Sequence, residues 1–298
     1  MVIFDLLPTK GDRFVTKIVS FINLKGGVGK TTTAVNIAAD LANNGHKVLV
    51  IDLDPQTNAT IHLIDQEKWK FCQDNGKTLF HLFNDRLNGT DQFDIENSIL
   101  ENVGDISGLD LLPSSMYLVE IQDDIPSMDN KAYISHVDVL GNAIETIKNK
   151  YDFVLIDCPP NLGAITLNGI SISDYYIVPT VPDILSKVGI SLILNRIEAF
   201  RRKKNSCNIK LAGILLTRID NRTNLHKSIM QELRSGDQRK HIFKSEFPQR
   251  ISVAESPIDA KPFLTSSTAK SKTDYHGIKR IISSITEEFL TRIEAFHE

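Results

Sequence analysis

A chain of 298 residues with 41% hydrophobic side chains can bury one large α/β domain or two small ones. Its three cysteines, Cys72, Cys158 and Cys207, are odd in number, widely separated and without metal-ligand spacing, so they read as reduced thiols of a cytosolic protein. No basic start followed by a long apolar stretch suggests a signal peptide, and no apolar run is long enough to span a bilayer.

The formal net charge of −3 conceals a segregated distribution. Residues 196–250 carry 14 Lys/Arg against 5 Asp/Glu, a local balance of +9, whereas the remainder carries 20 against 32. Such a stretch suits an anionic partner, and a pair of solvated helix faces explains the charge alone equally well.

Residues 1–16, with Pro8 and Gly11, read as a short N-terminal extension, too small for a helix-turn-helix module. Residues 17–298 read as a single domain. Its first strand is the apolar run Ile18-Val19-Ser20-Phe21-Ile22. Lys25-Gly26-Gly27-Val28-Gly29-Lys30-Thr31-Thr32 follows, and a helical pattern opens at Thr33 and stops at Asn43-Asn44-Gly45. Strand, glycine-rich turn and helix N-terminus form the setting of a phosphate-cradling loop. Glycines let backbone N–H groups converge on phosphate oxygens, Lys30 supplies a point charge, and Thr31 offers a hydroxyl ligand for Mg2+. The common loop pattern has glycine where this chain has Leu24, and a second lysine, Lys25, stands at the front.

Val48-Leu49-Val50-Ile51-Asp52 is the continuous apolar run of a strand buried on both faces. Asp54, in Asp52-Leu53-Asp54-Pro55-Gln56, sits at that strand's carboxyl end, where doubly wound sheets bind ligands. A carboxylate there can reach the Mg2+ shell or orient a water, although Asp-X-Asp-Pro in isolation is usually a turn and cap. Residues 65–108 are the most irregular stretch and read as an elaborated insertion. Further strands are expected at 109–113, 153–157, 175–179, 211–217 and 242–247, with helices at 134–149 and 186–202. Phe153-Val154-Leu155-Ile156-Asp157 ends in a carboxylate suited to a Mg2+-bound water, and Cys158 reads as a small buried filler. The alternation predicts an α/β fold: a doubly wound, mainly parallel sheet with helices on both faces. A last helix at 277–297 has an apolar stripe opposite Glu287, Glu288 and Glu294, which suits packing on the sheet and not an anionic membrane.

These motifs resemble the ParA/MinD group of deviant Walker ATPases, and within it the ParA (Soj) partition ATPases. The likeness runs from about residue 17 to 290. It includes Asn58-Ala59-Thr60 after the second strand, Asp157-Cys158-Pro159-Pro160-Asn161-Leu162-Gly163, Leu215-Leu216-Thr217-Arg218-Ile219-Asp220-Asn221-Arg222-Thr223 and Glu255-Ser256-Pro257.

The resemblance implies weak ATP hydrolysis with Mg2+ in a sandwich homodimer, where Lys25 of each molecule reaches the phosphates held by the other. Lys30 then binds phosphate, Thr31 holds Mg2+, Asp54 positions the attacking water, and Asp157 belongs to the metal's outer shell. Thr217 and Pro248 fall where relatives contact adenine. The ATP dimer is expected to bind non-specific DNA, through Arg222 with Arg218, Lys227 and Arg250 as neighbours, and to release it when a ParB-type activator stimulates hydrolysis. That makes the protein cytoplasmic, and nucleoid-associated when ATP-bound.

One departure stands out. Relatives often carry Ile-Pro-Arg-Asn-Val-Arg where this chain has Phe247-Pro248-Gln249-Arg250-Ile251-Ser252. His226 and His241 read as surface residues without a metal role. The alternatives on the same fold are a MinD-like membrane-associated or protein-cargo positioning switch, and a small-molecule enzyme or metallocluster reductase. The acidic last helix and the unpaired cysteines weigh against them.

Overall fold

Six strands among the described residues form one parallel sheet: β1 (Lys17–Phe21), β2 (Val48–Asp52), β3 (Leu109–Leu112), β4 (Phe153–Asp157), β5 (Tyr175–Thr180) and β6 (Lys210–Leu216). Their order is β3-β2-β4-β1-β5-β6. The structure is a computed structural model that describes residues 15–130 and 135–296, so the expected N-terminal extension lies almost wholly outside the described residues.

Side chains of successive strand residues point to opposite faces, and both faces are apolar. Leu49, Ile51, Val154 and Ile156 enter one core with helices Ala164–Ile172 and Ser186–Lys203. Val48, Val50, Phe153 and Leu155 enter the other, with helices Lys30–Asn43 and Tyr275–Glu294. The stripe of the last helix, Ile278, Ile282, Ile285, Phe289 and Ile293, is buried in that second core. In register, Asp157 of β4 stands between Phe21 of β1 and Asp52 of β2. Three strands therefore end together at one edge, and the loops leaving them share that edge.

Three expectations need amendment. The strand expected at 242–247 does not form. Ile242 and Pro248 make isolated parallel bridges to Ile214 and Ile219. Between them, the N–H groups of Lys244 and Ser245 donate to the Glu288 carboxylate at 2.8 and 2.9 Å, which draws the chain off β6. Residue 134 of the helix expected at 134–149 lies outside the described residues, and the rest holds a helix only at Val139–Ile144 and a turn at Lys148–Lys150, with Gly141-Asn142, both poor helix formers, in the middle of that helix. The irregular stretch 65–108 contains helices Gln66–Asp74, Leu79–Asn88 and Ile95–Ser98. Its polar residues and glycines punctuate them: Asp65 accepts from Lys68 N–H at the first N-terminus, and Gly89, at φ 70°, ends the second. All three cysteines are free and buried.

Candidate functional site

The glycine-rich turn between β1 and helix Lys30–Asn43 is held from outside by the end of β6. Thr217 Oγ1–H donates to Val28 O at 2.6 Å, and the Arg218 guanidinium donates to Gly27 O at 2.6 Å. At its base, Asn23 Nδ2–H donates to Pro179 O at 2.7 Å, and Asn23 Oδ1 accepts from Lys25 N–H. Gly27 and Gly29 have φ of 71° and 85°, where a side chain is strained, and a Cβ on Gly29 would meet Thr217 at 3.6 Å. Gly29 also caps the helix, and among the described residues no side chain occupies that cap. The positive end of the helix dipole thus faces the loop.

Lys30 is buried, and its ammonium turns back over the loop to Lys25 O at 3.4 Å. One residue on, Thr31 Oγ1–H donates to Asp157 Oδ2 at 2.6 Å. The other oxygen, Asp157 Oδ1, is buried and has no partner. Burial, reinforced by the nearby Asp54 carboxylate, pushes Asp157 up to about 7 against the pull of Thr31 and Lys30. A cation or a metal-bound water would relieve both strains, since it neutralises the carboxylate and satisfies its idle oxygen. Among the described residues no group of three or more His, Cys, Asp or Glu can hold a metal unaided. The donor set fits Mg2+, which takes most of its ligands from phosphate and water.

Asp54 is nearly buried at the same edge. Its Oδ1 accepts from Gln56 N–H at 2.9 Å in a tight turn. Of the residues read from the sequence, Asp157 is fully buried, and Gly26, Gly27, Val28, Gly29, Lys30, Thr31, Thr32, Asp54, Thr217 and Pro248 line without it a single cleft of about 490 Å³. That is an ordinary size for a small-molecule site. Ile61, His62 and the segment Phe247-Pro248-Gln249-Arg250-Ile251 also form part of its walls.

Lys25 lies apart. Its half-exposed side chain forms an ion pair with Asp183 of the same chain, at the rim outside the cleft lining. The residues expected to meet DNA separate into two groups. Arg218 and Arg250 line the cleft, and Arg218 is committed to the loop carbonyl. Arg222 is 91% exposed and paired with Asp220, and Lys227 is exposed one turn into helix Asn224–Ser235. His226 has a structural task that sequence reasoning missed, because its Nδ1 accepts from Asp220 N–H.

Asp52 and Asp183 stand beside the site as well, Asp52 in register with Asp157 and Asp183 against Lys25. Asp52 was legible as the first acid of the Asp-X-Asp turn. Burial, then repulsion from Asp157, raises its pKa well above the usual carboxylate range. Asp183 carried no local signal.

Residues 16–211 match the family model described as an AAA domain. The Bacillus subtilis sporulation initiation inhibitor protein Soj is 31% identical over 83% of this chain and 90% of that protein. The Myxococcus xanthus chromosome partitioning protein ParA is 32% identical over 86% and 83%. Among solved structures, a plasmid partition protein of Borrelia burgdorferi bound to AMPPNP aligns with a TM-score of 0.71 at 23% identity, covering 93% of this chain and all of that one. A Mycobacterium smegmatis cobyrinic acid a,c-diamide synthase with ADP and magnesium aligns at 0.65 and 25% identity, covering 82% and 94%. A phosphate loop wired to a carboxylate-ended strand, on this sheet and with these relatives, places the chain in the ParA/Soj family of P-loop partition ATPases.

Proposed function

We propose that this ATPase is a nucleotide-controlled DNA-partition switch. Two ATP-loaded copies join face to face, grip DNA without sequence preference, and let go when a ParB-type activator stimulates hydrolysis. The observation that carries the reading is Lys25. It stands at the loop's outer rim, half exposed and held only by an ion pair, so its charge can be handed to a second molecule at small cost.

In this reading Lys30 neutralises phosphate charge inside the cleft, and the backbone N–H groups of the loop orient it. Thr31 and Asp157 would hold Mg2+, Asp157 through a bound water. The ion supplies further neutralisation of the phosphates. Asp54 turns its remaining carboxylate oxygen toward the cleft to align the attacking water. Thr217 and Pro248 flank the adenine. Each charge counts for more in a water-excluded interface, so loss of the γ-phosphate loosens the pair. Arg222 and Lys227, on the outer surface, meet DNA phosphates together with Arg250 and Arg218 at the cleft mouth. Partition relatives of about 30% identity support the reading. No helix among the described residues is long and apolar enough to cross a membrane.

DNA binding compared with ATP, with ADP and without nucleotide tests this. Binding confined to the ATP state is expected, and equal binding in all three would overturn it. Asp54→Ala with ATP and Mg2+ should size as a persistent dimer, whereas a monomer contradicts the switch.

A further inference from the structure

Asp54 is held from beneath by a closed ring of buried hydrogen bonds. Its N–H donates to Asp52 Oδ1 at 3.1 Å, and its carbonyl accepts from Ser114 Oγ–H at 2.8 Å. The Ser114 N–H donates to Thr60 Oγ1 at 2.9 Å. Thr60 Oγ1–H closes the ring on Asp52 Oδ2 at 2.7 Å, and Thr60 N–H reaches the same oxygen at 2.8 Å. Each hydroxyl proton is used once and every donor in the ring has its acceptor. Asp52, Thr60 and Ser114 are fully buried and come from three places: the end of β2, helix Asn58–Leu63 and the turn after β3. Trp69 Nε1–H donates to Ser114 O at 3.1 Å, which ties helix Gln66–Asp74 to the ring.

Packing alone does not call for this arrangement. Apolar side chains would fill the space without the desolvation of two hydroxyls and a carboxylate. A fully satisfied polar ring instead admits one geometry and resists others. The peptide groups on both sides of Asp54 belong to it, while Gln56 N–H fixes one carboxylate oxygen. The second oxygen is thereby aimed by backbone and side chain together.

We propose that Thr60 and Ser114 are positioning residues of the ATPase site, setting the Asp54 carboxylate through Asp52 and through the Asp54 carbonyl. This rests on the reading of Asp54 as the group that aligns the attacking water.

The test compares Thr60→Val, which keeps the shape and removes the hydroxyl, with Thr60→Ser, which keeps the hydroxyl. Thr60→Val is expected to lower kcat for ATP hydrolysis by roughly 10- to 100-fold, the cost of misplacing a reacting group by a fraction of an ångström to about 1 Å. The KM for ATP should stay within about twofold, the signature of an interaction made only on the way to the transition state. Thr60→Ser should recover most of the turnover. Ser114→Ala should lower kcat less, because one bond of the ring is lost. Added to Asp54→Ala, Thr60→Val should cause no further loss.

Full turnover by Thr60→Val beside an inactive Asp54→Ala overturns the positioning role and leaves Asp54 in place. Full turnover by Asp54→Ala overturns the reading of Asp54 itself. A parallel fall of kcat, ATP affinity and melting temperature in Thr60→Val would mark the ring as structural and overturn the proposal.

Discussion

The phosphate-loop edge and the basic segment 196–250 carry their charge in opposite ways. At the loop edge, polar groups meet across the chain: Thr31 bonds Asp157, 126 residues away, and Thr217 bonds Val28, 189 residues away. Those contacts are wholly or partly buried and leave little freedom. In the basic segment several pairs are local and open to solvent, as in Arg201 and Arg202 with Glu198 or Arg222 with Asp220, whereas Lys204 reaches the distant Asp138 from a more shielded position. The exposed pairs contribute little, because water and salt screen their charges. The first region is built around one ligand shape. In the proposed function the second is a charge surface whose exposed carboxylate partners give way to phosphates. Its formal charge also overstates what it offers, since Arg234 is committed to Glu246 and to the carbonyls of Phe243 and Lys244.

That contrast can be broken most forcefully at Lys30. Lys30→Ala should weaken ATP binding by roughly 30-fold or more, about 2 kcal/mol at the low end for a desolvated charge pair, read by calorimetric titration. A change within threefold would mean that the loop does not hold phosphate through this side chain.

His62, in the wall of the cleft, separates the regions by acid. Burial lowers its pKa to about 4, against 6.5 when exposed. The neutral ring therefore contributes stability that is complete above pH 6.5 and is lost as pH falls toward 4, by up to about 3 kcal/mol. Asp157 and Asp52, whose raised pKa values add stability over the same descent, act in the opposite sense, so the difference between the parent and His62→Leu in denaturant unfolding from pH 7.5 to 4.5 should isolate that loss. An unchanged acid slope in His62→Leu would place the titration elsewhere.

The smallest expected effect sharpens the other side. If five to eight phosphates are met per dimer, the log–log salt dependence of DNA binding should have a slope of roughly −4 to −7. Arg222→Glu should move it toward zero by about one per lost contact, about two per dimer, without altering ATP affinity. An unaltered slope would put the DNA surface elsewhere on the molecule.

Much of the nucleotide edge is determined by residues that are neighbours in the chain. Glycines at positive φ, the lysine and threonine that follow them, and apolar strands ending in Asp52 and Asp157 encode their backbone conformation locally, so the loop and the parallel α/β class are legible without coordinates. The helices within 65–108 were hidden because their caps and glycine stops look like a loop when read one residue at a time. Residues 242–247 read as a strand by composition, and while the N–H groups of Phe243 and Phe247 do reach β6, the distant Glu288 takes those of Lys244 and Ser245 between them and breaks the ladder. Tertiary structure alone decided that Lys25 rests on Asp183, that Arg218 braces the loop, and that Thr60 and Ser114 close a ring under Asp54. The physical reason is reach. Torsional preference acts over a few residues, whereas a hydrogen bond between side chains far apart in sequence exists only after the sheet has brought their strands' ends together.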